Sequence, residues 1–294
     1  MITDLILKEY RRNDMIKKII IVLFLLIAII ILIFLVRRYK YNEECEEKEK
    51  EITINTDNTQ INVKKRIIRT VSLLPNYTEL GKEKMNNLYK SEDKTAYLTF
   101  DDGPSKTVTP LILDLLKQEQ IKATFFVLGS RIEFYPDLVK REYKEGHFIA
   151  NHGYSHVYKS IYSTPEAVLD EYNKTERLIQ QAIGLQEYNS HLFRFPGGSY
   201  GGKYAQIKQE AIEILKQNNI EFINWNALTN DSAGANTKEE LMANLMETVG
   251  DKTNVVILMH DAGDKILTYE ILPDIINYLK EKGYTFKNFY SIMK

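Results

Sequence analysis

The side chains of this 294-residue chain whose types and spacing could do chemistry gather in a few short segments. Asp101-Asp102-Gly103-Pro104 sets two carboxylates side by side ahead of a Gly-Pro pair. Neighbouring side chains on a strand face opposite ways, but at a strand end followed by Gly-Pro the chain can turn both toward one pocket. Two carboxylates there suit two jobs, holding a cation and taking a proton. The same four residues also make an ordinary turn, and both readings stand at this point. His152 and His156 are two of the five histidines and lie four apart, which on a helical turn puts both imidazoles on one face. That is a metal-ligand spacing, although the Glu of the His-Glu-x-x-His helix is missing. With an Asp from another strand end, the pair makes a three-ligand set that leaves a position open for water, as catalytic metal sites do.

Arg194-Phe195-Pro196-Gly197-Gly198-Ser199-Tyr200-Gly201-Gly202-Lys203 follows. Gly197-x4-Gly202-Lys203 imitates a phosphate-binding loop, but Tyr204 stands where the Mg²⁺-binding hydroxyl belongs, so nucleotide is not expected. The segment reads instead as an Arg aimed at a carboxylate, with a glycine loop exposing backbone N–H groups to the pocket. Asn224-Trp225-Asn226 and Thr229-Asn230-Asp231 come next, and Val255–Met259 delivers His260. A His at a strand end is well placed for general acid work, and a nearby carboxylate can raise its pKa; taken alone, such a His is more often a hydrogen-bonded core histidine. His147 and His191 have no such neighbours and read as structural.

These segments need a scaffold that brings strand ends together. Short apolar runs alternate with amphipathic stretches from Ala96 onward: strands at Ala96–Phe100, Ala123–Leu128, His147–Ala150, Leu192–Phe195, Glu221–Asn224, Val255–Met259 and Tyr284–Phe286. Helices are expected between them, one opened by a Ser163-Thr164-Pro165-Glu166 capping box, another by Thr237…Glu240, and the last closed by Gly283. The pattern is that of an α/β fold with about seven parallel strands, an open sheet or a barrel, in which chemistry belongs at the strands' C-terminal ends. All five reactive segments fall there.

Lys and Arg number 39 against 40 Asp and Glu, so no basic surplus exists to neutralise phosphates, and nucleic acid is not an expected partner. Cys45 alone forms no intrachain disulfide. Ile19 to Val36 has no charge, Gly or Pro and as a helix would reach roughly 27 Å, close to a bilayer's hydrocarbon core. No small-x-small cleavage site follows, so residues 19–36 read as an uncleaved single-pass transmembrane helix. Five Lys and Arg flank it on each side, so charge bias leaves its orientation open. The division expected is a cytoplasmic tail at 1–18, the membrane helix at 19–36, a charged linker and stem at 37–90, and a catalytic domain at 91–294. Within the stem, Ile52 to Val63 alternates like a strand or hairpin, and 76–93 reads as a linker with a short helix.

Thr99-Phe100-Asp101-Asp102-Gly103-Pro104, His152-x3-His156, Arg194-x-Pro196 and Leu258-x-His260, in this order, resemble the polysaccharide deacetylases of the NodB-homology type, carbohydrate esterase family four. The resemblance covers about residues 95–290 and implies a distorted (β/α) barrel that removes N-acetyl groups from an amino-sugar polymer with the help of a divalent metal. Zn²⁺ is the first choice, with Co²⁺, Mn²⁺ or Ni²⁺ as substitutes. Carried over, Asp101 is the general base and Asp102, His152 and His156 are the metal ligands. Arg194 holds Asp101 ionised and oriented, His260 is the general acid paired with Asp231, and Leu258 lines the acetate pocket. Two departures stand out. Gly197, whose N–H would help hold the oxyanion, replaces an aromatic residue, and Ser232 replaces a Trp, so that Trp225, the chain's only Trp, implies a different groove floor. With a membrane anchor, the resemblance implies an extracytoplasmic domain at the cell membrane acting on a cell-wall polysaccharide. Peptidoglycan N-acetylglucosamine is the first expectation, ahead of N-acetylmuramic acid, chitooligosaccharide or an exopolysaccharide.

Overall fold

The computed structural model describes residues 73–293. The apolar run 19–36, the tail before it and the stem up to residue 72 lie outside the described residues. Among those described, no helix is long and apolar enough to cross a membrane.

Eight strands, all parallel, form one sheet: β1 (Thr95–Asp101), β2 (Thr124–Val127), β3 (Phe148–Asn151), β4 (Leu192–Phe193), β5 (Glu221–Phe222), β6 (Ala227–Leu228), β7 (Asn254–His260) and β8 (Thr285–Phe286). Seven follow the order β5-β4-β3-β2-β1-β7-β6, and β8 pairs with the start of β1. The two edges, β5 and β6, share no ladder but are consecutive in the chain. Five peptide steps join Phe222 to Ala227, so the edges lie within roughly 17 Å of one another. The sheet is therefore curled into a barrel with an open seam, the distorted (β/α) architecture expected.

Strand parity explains where everything sits. On β1, Ala96, Leu98 and Phe100 face the outer helices, packing with Phe125, Val127, Ile149, Ile257 and Met259. The alternate residues point inward. At the lower end, Tyr97, Phe126, Phe148 and Val256 meet Tyr77, Met85, Leu88 and Phe289, which plug the barrel. Each large apolar side chain so buried contributes roughly 1.5–3 kcal/mol. At the upper end the inward positions become polar: Thr99 and Asp101 on β1, His260 on β7, and His152 just past β3.

Several element ends differ from the sequence reading. The two-residue β6, pinned by Leu228 N–H donating to Thr248 Oγ1, is too short to leave a periodic pattern. The helix Pro165–Ile183 is capped by Thr164, whose hydroxyl accepts from Ala167 N–H, so Ser163 and Glu166 form no capping box; the box at Thr237 and Glu240 is present. Arg194 lies just past β4 rather than within it. The helix Glu79–Asn86, read as part of the stem, buries Met85 in the barrel plug, so the folded unit begins upstream of residue 91.

Candidate active site and metal centre

The strands' C-terminal ends surround a cleft of about 350 Å³ lined by Asp101, Asp102, His152, His156, Gly197, Trp225, Asp231, Leu258 and His260, together with Tyr158, Phe195 and Leu228. Nine of the ten residues singled out in the sequence thus face one space, and the tenth, Arg194, lies fully buried beneath it.

β1 and β7 pair in register from Thr95 opposite Asn254 to Asp101 opposite His260, which sets a carboxylate and an imidazole on adjacent strand ends. Past Asp101 the chain turns sharply: Asp102 has φ 72°, which swings its carboxylate toward the histidines. Gly103 permits the turn, because a Cβ there would collide with the Asp261 carboxylate.

Asp102 Oδ1 lies 3.5 Å from both His152 Nε2 and His156 Nε2. Donors about 2.1 Å from a tetrahedral ion stand about 3.4 Å from one another, which the two Asp102–histidine distances match, and all three atoms lie within 4.8 Å of one another, a cluster that could hold a divalent cation. Asp102 Oδ1 is also buried without a hydrogen-bond partner, the condition of an oxygen awaiting a ligand. His152 is prepared for the same task. Its Nδ1 pairs with the Arg194 carbonyl at 2.8 Å, which puts the proton on Nδ1 and leaves the Nε2 lone pair facing the cleft. Burial, against the pull of Asp102, holds its pKa down to about 3, so it is neutral near pH 7.

The histidines do not share a helical turn, contrary to the sequence expectation. Gly153 (φ 81°) and His156 (φ 54°) make the segment a loop. Glu171 organises it by accepting from the N–H groups of Tyr154 and Ser155 at 2.9 and 3.0 Å and from the Ser155 hydroxyl. The loop still brings both Nε2 atoms to Asp102.

Asp101 is buried, with Oδ1 accepting from Arg194 Nη1 at 2.8 Å. Burial raises its pKa, and Arg194 and His260 pull against that rise. The Arg194 guanidinium also donates to Thr99 Oγ1 at 2.7 Å, to the Ile223 carbonyl at 3.2 Å and to the Asn224 carbonyl at 3.5 Å, and it stacks 3.9 Å above the Phe126 ring. Asp101 Oδ2 is left on the cleft side, 3.7 Å from His152 Nε2.

Across the cleft, Asp231 Oδ1 lies 2.8 Å from His260 Nδ1, while Oδ2 accepts from the His260 N–H at 2.8 Å and the Thr268 hydroxyl at 2.7 Å. Burial works against the imidazolium, but the Asp231 bond and charge, helped by Asp101 and Asp102, outweigh it and raise the His260 pKa to about 9. With Nδ1 bound to Asp231, Nε2 is the atom left to give a proton to the cleft. Phe195, Trp225, Leu228 and Leu258 supply apolar wall.

Sequence reasoning gave no role to Thr99, Thr268, Asp261 or Tyr158. Thr99 carried a signal, since it is two before Asp101 and so on the same face of β1. Asp261 followed a named residue and now proves buried, its carboxylate accepting from Thr109. Thr268 and Tyr158 carried none.

Residues 89–227 match the family described as polysaccharide deacetylase. A peptidoglycan-N-acetylglucosamine deacetylase of Bacillus cereus is 35% identical over 72% of this chain and 75% of its own length. A CE4 esterase from Streptococcus mutans has a similar solved structure, with TM-score 0.64 and 31% identity over 73% of this chain and 92% of that one. The catalytic domain of a peptidoglycan N-acetylglucosamine deacetylase from Eubacterium rectale matches with TM-score 0.61 and 30% identity over 67% of this chain and 88% of that one. The chain belongs to the polysaccharide deacetylase family and is a deacetylase hydrolase.

Proposed function

We propose that this polysaccharide deacetylase hydrolyses the N-acetyl groups of peptidoglycan N-acetylglucosamine, releasing acetate, with a divalent cation of the Zn²⁺ type held by Asp102, His152 and His156. The observation that carries the reading is the arrangement around one cleft: a three-donor cluster with an orphaned carboxylate oxygen, a buried carboxylate on an arginine beside it, and a carboxylate-bound histidine opposite. A divalent cation at such a cluster supplies Lewis acidity, polarising a carbonyl oxygen and acidifying water.

The chain's own residues do the rest. Asp101 Oδ2 takes the proton of the attacking water, and Arg194, bound to Oδ1, fixes which oxygen is presented. A carboxyl raised by burial is a stronger base than an ordinary aspartate. The N–H of Gly197 donates to no described backbone group and lines the cleft, so it can meet oxyanion charge as the acetamide carbonyl becomes tetrahedral. His260, charged near pH 7 through Asp231, gives the Nε2 proton to the departing sugar amine. Leu258, with Phe195 and Leu228, offers a dry wall to the acetyl methyl, and Trp225 a flat face to the sugar.

The substrate rests on what similar proteins act on, and it fits the proposed division of the chain: an anchor at 19–36, a stem, and a catalytic domain on the extracytoplasmic side of the cell membrane. Acetate release from N-acetylated peptidoglycan by the full-length protein in detergent, with EDTA and with added Zn²⁺, tests it. Release abolished by EDTA and restored by metal is expected. Release from chitooligosaccharide alone would overturn the wall assignment, and release of acetate from muramic acid residues only would move the sugar. No release from any of these, with metal bound, would leave a glycan-binding protein.

A further inference from the structure

The departure at Gly197 opens a space that another element fills. Gly197 has φ 72°, and a Cβ there would come within 3.0 Å of Tyr158 Cζ and closer still to its hydroxyl oxygen. That places the hydroxyl within about 4 Å of the Gly197 Cα. Tyr158 opens a short helix two residues beyond His156 and lines the same cleft. Its hydroxyl makes no hydrogen bond to a described residue.

The juxtaposition is braced. Tyr162 is fully buried; its hydroxyl donates to the Pro196 carbonyl at 2.7 Å and its N–H donates to the Tyr158 carbonyl at 3.0 Å. One residue thus ties the short helix Tyr158–Ile161 to the turn that presents the Gly197 N–H. The Tyr158 ring packs between Tyr162 and His156, with centroids 5.7 and 5.6 Å away. A phenol held in this way loses little further freedom when it engages a ligand.

We propose that the Tyr158 hydroxyl is a second donor to the acetamide oxygen, acting beside the Gly197 N–H, so that a side chain from the histidine loop takes over the space vacated at residue 197. The inference rests on the deacetylase reading of this cleft. A donor aimed at the oxygen as it gains charge strengthens in the transition state, so its removal lowers kcat more than it raises KM. One hydrogen bond to a charged acceptor corresponds to roughly 10- to 100-fold in rate.

Tyr158→Phe keeps the ring and its packing and deletes only the donor. Kinetics of acetate release by the full-length protein should show kcat down roughly 10- to 100-fold, with KM within about twofold and metal content unchanged. Tyr158→Phe with full kcat, or with the loss confined to KM, would overturn the inference while the unaltered protein still turns over. Failure of the unaltered protein to release acetate from any N-acetylated glycan would instead overturn the deacetylase reading beneath it. Tyr158→Ala, which also removes the wall, should raise KM in addition; a KM equal to that of Tyr158→Phe would show that the ring does not line the substrate path.

Discussion

Two histidines face each other across the cleft, equally tied and oppositely tuned. His152 and His260 are both buried, and each has Nδ1 fixed by an oxygen at 2.8 Å. The oxygen on His152 is a peptide carbonyl and carries no net charge; the one on His260 belongs to Asp231. Burial lowers the pKa of both. Nothing near His152 offsets it fully, and the value settles at about 3; at His260 the carboxylate outweighs it, and the value rises to about 9. Near pH 7 one ring therefore offers a lone pair and the other a proton. Depth of burial does not set the protonation of the two rings apart; the charge on the atom behind each ring does.

The comparison breaks most completely when either side loses its reacting group. His152→Ala should lose metal measured by elemental analysis, by more than the roughly 10- to 100-fold in affinity that follows loss of an outer hydrogen-bond partner, and turnover with it. Asp101→Asn should keep its metal and lose roughly 1000-fold in kcat. Normal metal content in the first, or retained turnover in the second, would reverse the roles. Asp231→Asn should come next, with kcat down roughly 100-fold.

Its pH profile sharpens the contrast. The proposed reaction needs Asp101 unprotonated and His260 protonated, so activity rises as Asp101 loses its proton and falls as His260 does. His260 is raised above the ordinary imidazole value, so the alkaline limb should lie above that of a free histidine. Removing the charge on Asp231 lowers the His260 pKa and moves that limb to lower pH; an unmoved limb in Asp231→Asn would assign it to another group. Thr268→Val, which deletes a single donor to Asp231, should cost least, roughly three- to tenfold in kcat with metal unchanged. A larger loss accompanied by loss of metal would place Thr268 in the fold rather than behind the acid.

Much of this was legible in the sequence because the chemistry demands residue types that strand packing does not. A carboxylate pair, two histidines and an arginine at the ends of apolar runs have few structural explanations in common. What stayed hidden depended on partners distant in the chain. The histidine spacing suggested a helix because nothing local announces that Glu171 accepts from the amides of a loop at 154 and 155. Strand β6 holds two residues and borrows its pairing from β7. Tyr158 stands out only once Gly197 is beside it in space.

Arg194 has one further consequence. Its guanidinium donates to the carbonyls of Ile223 and Asn224, in the link between the two unpaired edges of the sheet, and to the carboxylate of Asp101. Many enzymes can exchange some stability for activity because different residues supply each. At this position the exchange is closed: a substitution that eases the join between the edges also releases the carboxylate. Lysine, with one compact ammonium, cannot reproduce the fork that serves both. At residue 194, a change to the wall of this barrel is also a change at Asp101.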